Sequence, residues 1–159
     1  MLNAADPIKI VADLLRRISQ STLLVRGRDI IPEITKNIPA ILGMRYCFVS
    51  EFIDNETTTL RTIAFTDNGL VIDNIECNVN ESVGQMMING NPFFPGAGAQ
   101  RVFNAVKGIE AYAGAPILNP DNGEVMGHIA VTDPTPHLQE TNETEILKIL
   151  AARLGTEFV

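Results

Sequence analysis

Two short apolar runs on either side of a Pro-Asp-Asn-Gly cluster constrain this chain more than any other stretch. Ala111-Tyr112-Ala113-Gly114-Ala115-Pro116-Ile117 leads into Asn119-Pro120-Asp121-Asn122-Gly123, and Glu124-Val125-Met126-Gly127-His128-Ile129-Ala130-Val131-Thr132-Asp133 follows. Asn-Gly supplies the positive φ angles that a tight turn requires, so the spacing predicts an antiparallel β-hairpin. Side chains alternate across a strand, which places Ile129 and Val131 on one face and His128, Ala130 and Thr132 on the other. The first face is greasy; the second is small and partly polar. Gly114, Ala115, Gly127 and Ala130 leave little side-chain volume in mid-strand, which predicts the close approach of a packed loop or a ligand.

The segments before the hairpin read as helix, helix and strands. Asp6-Pro7 is a helix start, and Ile8, Val11, Leu14, Leu15 and Ile18 recur at helical spacing to about Gln20. After a connector ending in Gly27, Asp29 is placed to cap a second helix striped by Ile30, Ile31, Ile34, Ile38, Ile41 and Leu42. Pro32 is tolerated in its first turn, Pro39 should kink it, and Gly43 closes it. Arg45 to Ile53 and Thr58 to Thr66 are strand-like, with turns at Asp54-Asn55-Glu56 and Asp67-Asn68-Gly69. Leu70-Val71-Ile72 is a short third strand or an extended lead into Ile75 to Val79.

From Asn80 to Lys107 the chain is apolar yet full of breakers. Ser82 caps a short helix carrying Val83, Met86 and Met87; Asn89-Gly90-Asn91-Pro92 ends it; Phe93-Phe94-Pro95-Gly96-Ala97-Gly98-Ala99 is irregular; and 99–106 reads as another short helix. After the hairpin, Thr141 or Asn142 begins a last helix with Glu143 and Glu145 near its positive end. Ile146, Leu147, Ile149, Leu150, Leu154 and Phe158 form its apolar stripe.

Tyr-x-Gly-x-Pro-Ile, a turn ending in Gly, then Val-Met-Gly-x-Ile-Ala-Val-Thr-Asp before an acidic helix resembles the C-terminal half of a GAF domain. The likeness extends back through Tyr46-Cys47-Phe48-Val49 and the preceding helix, so it covers nearly the whole chain. It implies an α+β fold: a central antiparallel sheet of about five or six strands, the N- and C-terminal helices on one face, and a lid of short helices and loops over a pocket on the other. The 159 residues then form one domain. Residues 1–28 are its N-terminal helix and connector, 29–137 its core, and 138–159 a C-terminal helix leading to an output domain outside this segment.

The residues offer little for catalysis. His128 and His137 lie on different elements with no Cys or His at ligand spacing, so no metal site is expected. His128 is either a hydrogen-bonding group of the pocket or a satisfied core histidine. Ser82 lacks the first glycine of a nucleophile elbow, and Gly96-Ala97-Gly98-Ala99 lacks the closing Lys of a phosphate loop. Some GAF-like proteins are methionine sulfoxide reductases and others carry a bilin on cysteine, but the segment 80–107 contains no cysteine. Cys47 and Cys77 read as buried reduced thiols, and the Lys-Phe-Asp-Glu run of cyclic-nucleotide-binding members is missing.

A noncovalent pocket remains. Tyr46, Phe48 and Ser50 of the first strand, Tyr112, Gly114 and Pro116, and His128, Ala130 and Thr132 would line it, closed by Met86, Met87, Phe93, Phe94, Arg101 and Phe103 from the lid. Methionine and phenylalanine adapt to irregular shapes, which suits a small apolar or aromatic molecule. The competing reading is that the same residues simply fill a core.

The resemblance therefore implies a non-catalytic sensory module of a bacterial signalling protein, of the histidine kinase or diguanylate cyclase type, dimeric through its terminal helices. It implies no resident cofactor, only an unidentified noncovalent small molecule. A structural dimerisation domain with a vestigial pocket and a thiol-dependent methionine sulfoxide reductase-like enzyme are the alternatives. A net charge of −7 with no clustered basic patch argues against nucleic acid. No apolar run approaches membrane-span length, and a start without a basic stretch and apolar block places the chain in the cytoplasm.

Overall fold

Ile30, Ile31, Ile34, Ile38 and Leu42 recur at helical spacing and form the buried face of helix α1, Ile30–Leu42. The computed structural model describes residues 27–53, 59–78, 110–136 and 140–158, together with helical positions 12, 13, 16, 17, 19 and 20. A 3-10 turn, Gly27–Asp29, feeds α1. Asp29 occupies the N-cap position but makes no side-chain cap hydrogen bond, because its backbone already has helical angles in that turn. Gly43 closes the helix with φ 69°, and the Pro39 carbonyl accepts from both Gly43 and Met44.

The strands are β1 Tyr46–Phe52, β2 Thr59–Asp67, β3 Leu70–Val71, β4 Glu76–Asn78, β5 Ala111–Leu118 and β6 Val125–Asp133. They form one antiparallel sheet in the order β3-β2-β1-β6-β5, with β4 also paired to β2. Asn68 and Gly69 both take positive φ, at 50° and 81°, and make the tight β2–β3 turn. The β5–β6 connection differs from the tight Asn-Gly turn expected. Asn122 is not among the positive-φ residues, whereas Gly123 is, at 76°. The Asn119 amide donates to Glu124, Gly123 donates back to Asn119, and the Asn119 and Asn122 side chains accept from the amides two residues on. Asx turns therefore spread the reversal over a longer loop.

Helix α2, Glu140–Glu157, begins slightly before the predicted start. Ile146, Leu147, Leu150, Ala151 and Leu154 are buried against the sheet, while Ile149 is exposed and lies off the stripe. Ala111, Ala113 and Ala115 let α2 lie close to β5. At Gly155 a Cβ would fall on the Leu118 carbonyl oxygen. α1 and α2 share one core with Cys47, Val49, Ile117, Ile129 and Val131, so both pack on the same sheet face. The greasy face of the hairpin is thus the helix face. The helical positions 12–20 that are described are exposed.

Candidate functional site

The register of three strands assembles nine of the predicted residues. Tyr46, Thr132 and Tyr112 lie side by side across β1, β6 and β5; Phe48, Ala130 and Gly114 form the next row; Ser50, His128 and Pro116 form the third. Paired residues project to the same side, so all nine occupy the face opposite the helices. Ser50, Tyr112, His128, Ala130 and Thr132 are buried; Tyr46 and Phe48 are half-buried. The six predicted lid residues, Met86, Met87, Phe93, Phe94, Arg101 and Phe103, lie outside the described residues, as do His137 and Ser82.

The polar centre is the pair Ser50 and His128, with Ser50 Oγ 2.6 Å from His128 Nδ1. If the hydroxyl donates to Nδ1, the ring proton resides on Nε2, directed away from Ser50. In the reverse arrangement the hydroxyl proton is left with the His128 carbonyl at 3.5 Å, long for a hydrogen bond. The first arrangement makes the stronger pair. Burial strips the imidazole of solvent and pushes its pKa down from the ordinary 6.5 to about 4. The ring is therefore neutral at physiological pH, able to donate or accept a hydrogen bond but unable to act as counter-ion to an anion.

An aromatic row leads from this pair to the rim. Phe48 meets the His128 ring edge-on at 5.3 Å and 88°, Phe65 tilts against Phe48 at 5.5 Å, and Tyr46 stands edge-on to Phe65 at 6.3 Å. Arg45 ends the row 4.9 Å above the Tyr46 ring. Its guanidinium forks onto Asp67 at 2.8 and 3.1 Å, and that bond holds the Asp67 carboxyl below its ordinary range.

Phe65 is the residue that sequence reasoning missed. Its register with Phe48 places it on this face, but a bulge in the β1–β2 pairing at Val49/Ser50 shifts the count along β2. Ile63 and Ala64 consequently both pack towards the helices. Counting by twos along β2 cannot reveal that step; the signal that was available is an aromatic in the strand next to Tyr46 and Phe48.

The small residues have specific reasons. A Cβ on Gly114 would come within 2.5–2.8 Å of the Tyr112 hydroxyl and ring carbons, so the Tyr112 ring lies over Gly114. At Gly127 a Cβ would fall on the Ser50 carbonyl oxygen across the β1–β6 pair. The close approach predicted from these glycines is made by the sheet itself.

Cys47 belongs to the helix face, where burial pushes its thiol far above the ordinary value and holds it as the unreactive thiol. The Cys77 side chain lies outside the described residues. Among the described residues no three His, Cys, Asp or Glu side chains cluster as metal ligands, and no helix is long and apolar enough to cross a membrane.

The chain matches the GAF domain family over residues 27–158. Among solved structures it resembles the GAF domain of an Acinetobacter phosphoenolpyruvate-protein phosphotransferase, with a TM-score of 0.74 at 17% identity, covering 93% of this chain and 92% of that one. The GAF domain of A. aeolicus nlh2 in an inactive state gives a TM-score of 0.70 at 19% identity, with 96% and 97% covered. The free methionine-R-sulfoxide reductase of Neisseria meningitidis, in complex with its substrate, gives 0.73 at 15% identity, with 99% and 93% covered. No curated protein matches.

Proposed function

The chain belongs to the GAF domain family, whose members are sensory and ligand-binding modules of signalling proteins, and from that premise we propose that it is a non-catalytic small-molecule sensor. The ligand binds the face built by Tyr46, Phe48, Ser50, Phe65, Tyr112, His128 and Thr132. The observation that carries this reading is the buried Ser50–His128 pair beside an aromatic row. A neutral imidazole whose Nδ1 is engaged by Ser50 offers its second nitrogen to an uncharged partner, and the rings offer apolar contact. An apolar or aromatic molecule carrying a hydrogen-bonding group fits that chemistry. The lid residues Met86, Met87, Phe93, Phe94, Arg101 and Phe103 complete the pocket in this reading.

The output follows from differential affinity. A ligand that prefers one arrangement of lid and terminal helices shifts the population towards it, and homodimerisation through those helices passes the change to a kinase- or cyclase-type partner domain in a bacterial cytoplasm. No cofactor is required. Native mass spectrometry of the freshly purified chain, set against the same sample denatured, tests the ligand: extra mass lost on denaturation is the expected result. A protein that carries no extra mass, and whose melting temperature no metabolite in a library raises, overturns it. Light scattering after deletion of residues 1–20 tests the helix interface, with a monomer expected.

One observation favours a second reading. The Tyr112 ring fills the space above Gly114 and thereby occupies part of the face, as it would in a dimerisation domain with a closed pocket. A methionine sulfoxide reductase-like activity draws no support from Cys47, whose thiol is buried and held protonated. Retained sulfoxide reduction in a double Cys47→Ala, Cys77→Ala variant would exclude thiol chemistry altogether.

A further inference from the structure

Among the described residues, the β2 side of the sheet ends at β3 and β4. β3 and β4 pair with β2 and, among the described residues, with no other strand. Between them the chain stays alongside β2: the Ile72 amide donates to Phe65, Thr62 donates its amide to Ile75 and its hydroxyl to Asn74, and the Thr62 hydroxyl oxygen accepts from the Ile75 amide. Leu70 to Glu76 is therefore one extended edge held firmly from within. The Ile72 amide points inward, so by alternation the Val71 amide and carbonyl point away from β2.

Among the described residues no element pairs beyond this edge, and the edge is unusually apolar for such a position. Leu70 is 74% exposed and Val71 82%, with Ile72 at 36% and Ile75 at 42%. Proteins normally blunt an edge with lysine, proline or a covering element, because its free backbone groups recruit other strands. The only charges within Leu70–Glu76 are acidic: Asp73 and Glu76, both exposed. Asp67, at the start of the turn, is already neutralised by Arg45. Acidic side chains on an acidic chain of net charge −7 repel a second copy and attract a basic strand.

We propose that the Leu70–Glu76 edge is a docking surface for an extended segment of another protein, rich in aliphatic and basic residues, which adds to the sheet as a further antiparallel or parallel strand. Backbone hydrogen bonds to Val71 supply the register, Leu70, Val71 and Ile72 supply apolar contact, and Asp73 and Glu76 select lysine or arginine. The edge is on the sheet margin away from β5 and β6, so docking there leaves the Ser50–His128 pair untouched.

The test uses two fluorescein-labelled hexapeptides, Lys-Val-Lys-Val-Lys-Val and Glu-Val-Glu-Val-Glu-Val, titrated into the whole chain by fluorescence anisotropy. The lysine peptide should saturate below about 1 mM and be preferred at least about tenfold. Its footprint by amide hydrogen exchange should fall on residues 70–76. Reversing the edge charge with Asp73→Lys and Glu76→Lys should invert the preference. Val71→Pro, which deletes an outward N–H that β2 does not use, should abolish binding while thermal unfolding stays cooperative. No saturation by about 1 mM, a footprint elsewhere, or a preference that charge reversal does not change would each overturn the proposal. A dimer in sedimentation that Val71→Pro dissolves would overturn it too, since a second copy would then hold the edge.

Discussion

Thr66 donates its hydroxyl across 2.6 Å to the main-chain oxygen of Thr35, the one carbonyl in α1 that Pro39 leaves without its intrahelical donor. Proline has no N–H to offer four residues back, and β2 supplies the missing bond. This bond fastens α1 to the sheet with both partners buried. Thr66→Val should cost about 1–3 kcal/mol by orphaning that carbonyl. In a Pro39→Ala background the helix regains its own N–H, so the Thr66→Val penalty should shrink markedly. A double-mutant cycle in urea measures the difference, and simple additivity would contradict the account.

His128 makes stability depend on pH. Its pKa lies near 4 in the fold against about 6.5 unfolded, so between those values the unfolded chain binds the proton and the folded one does not. Stability is then complete above about pH 6.5 and falls as pH drops towards 4, by up to about 3 kcal/mol from this group. Denaturation midpoints across that window should flatten in His128→Gln. An NMR titration should place the His128 midpoint near 4; a midpoint near 6.5 would show a solvated ring.

Two glycine substitutions should behave differently. Gly114→Ala sets a methyl against the Tyr112 ring and should cost about 1–3 kcal/mol, relieved when Tyr112→Leu removes that ring. Gly127→Ala sets it against the Ser50 backbone, where no side-chain deletion can make room. Its cost should exceed that of Gly114→Ala and persist in Ser50→Ala. Chemical denaturation of the four variants checks both statements.

Arg28 joins the start of the described core to its end. Its guanidinium sits 5.2 Å from the Phe158 ring and 3.6 Å from Glu51. Both contacts are partly exposed, so Arg28→Ala should lower global stability by less than about 1 kcal/mol. The effect should appear locally, as faster amide exchange in the last turn of α2, where Phe158 donates to Leu154. Unchanged exchange there would show that the contact restrains nothing.

The sequence by itself determined the elements and their faces. Helical spacing from Ile30 to Leu42, alternation in Val125 to Asp133 and the turn at Asn68-Gly69 depend on local backbone physics, which a few neighbouring residues decide. The family likeness, carried by the hairpin motifs, was legible for the same reason, and so was the grouping of His128, Ala130 and Thr132. Pairing partners were not, because they join residues far apart in the chain: the 2.6 Å contact between Ser50 and His128 spans 78 positions. Tertiary structure alone decided that Phe65 joins Phe48 beyond a bulge and that Asn122 leaves its turn to Gly123. It also decided that Tyr112 is what Gly114 makes room for, because which atoms meet across a face depends on register and packing, and no local pattern in the sequence encodes either.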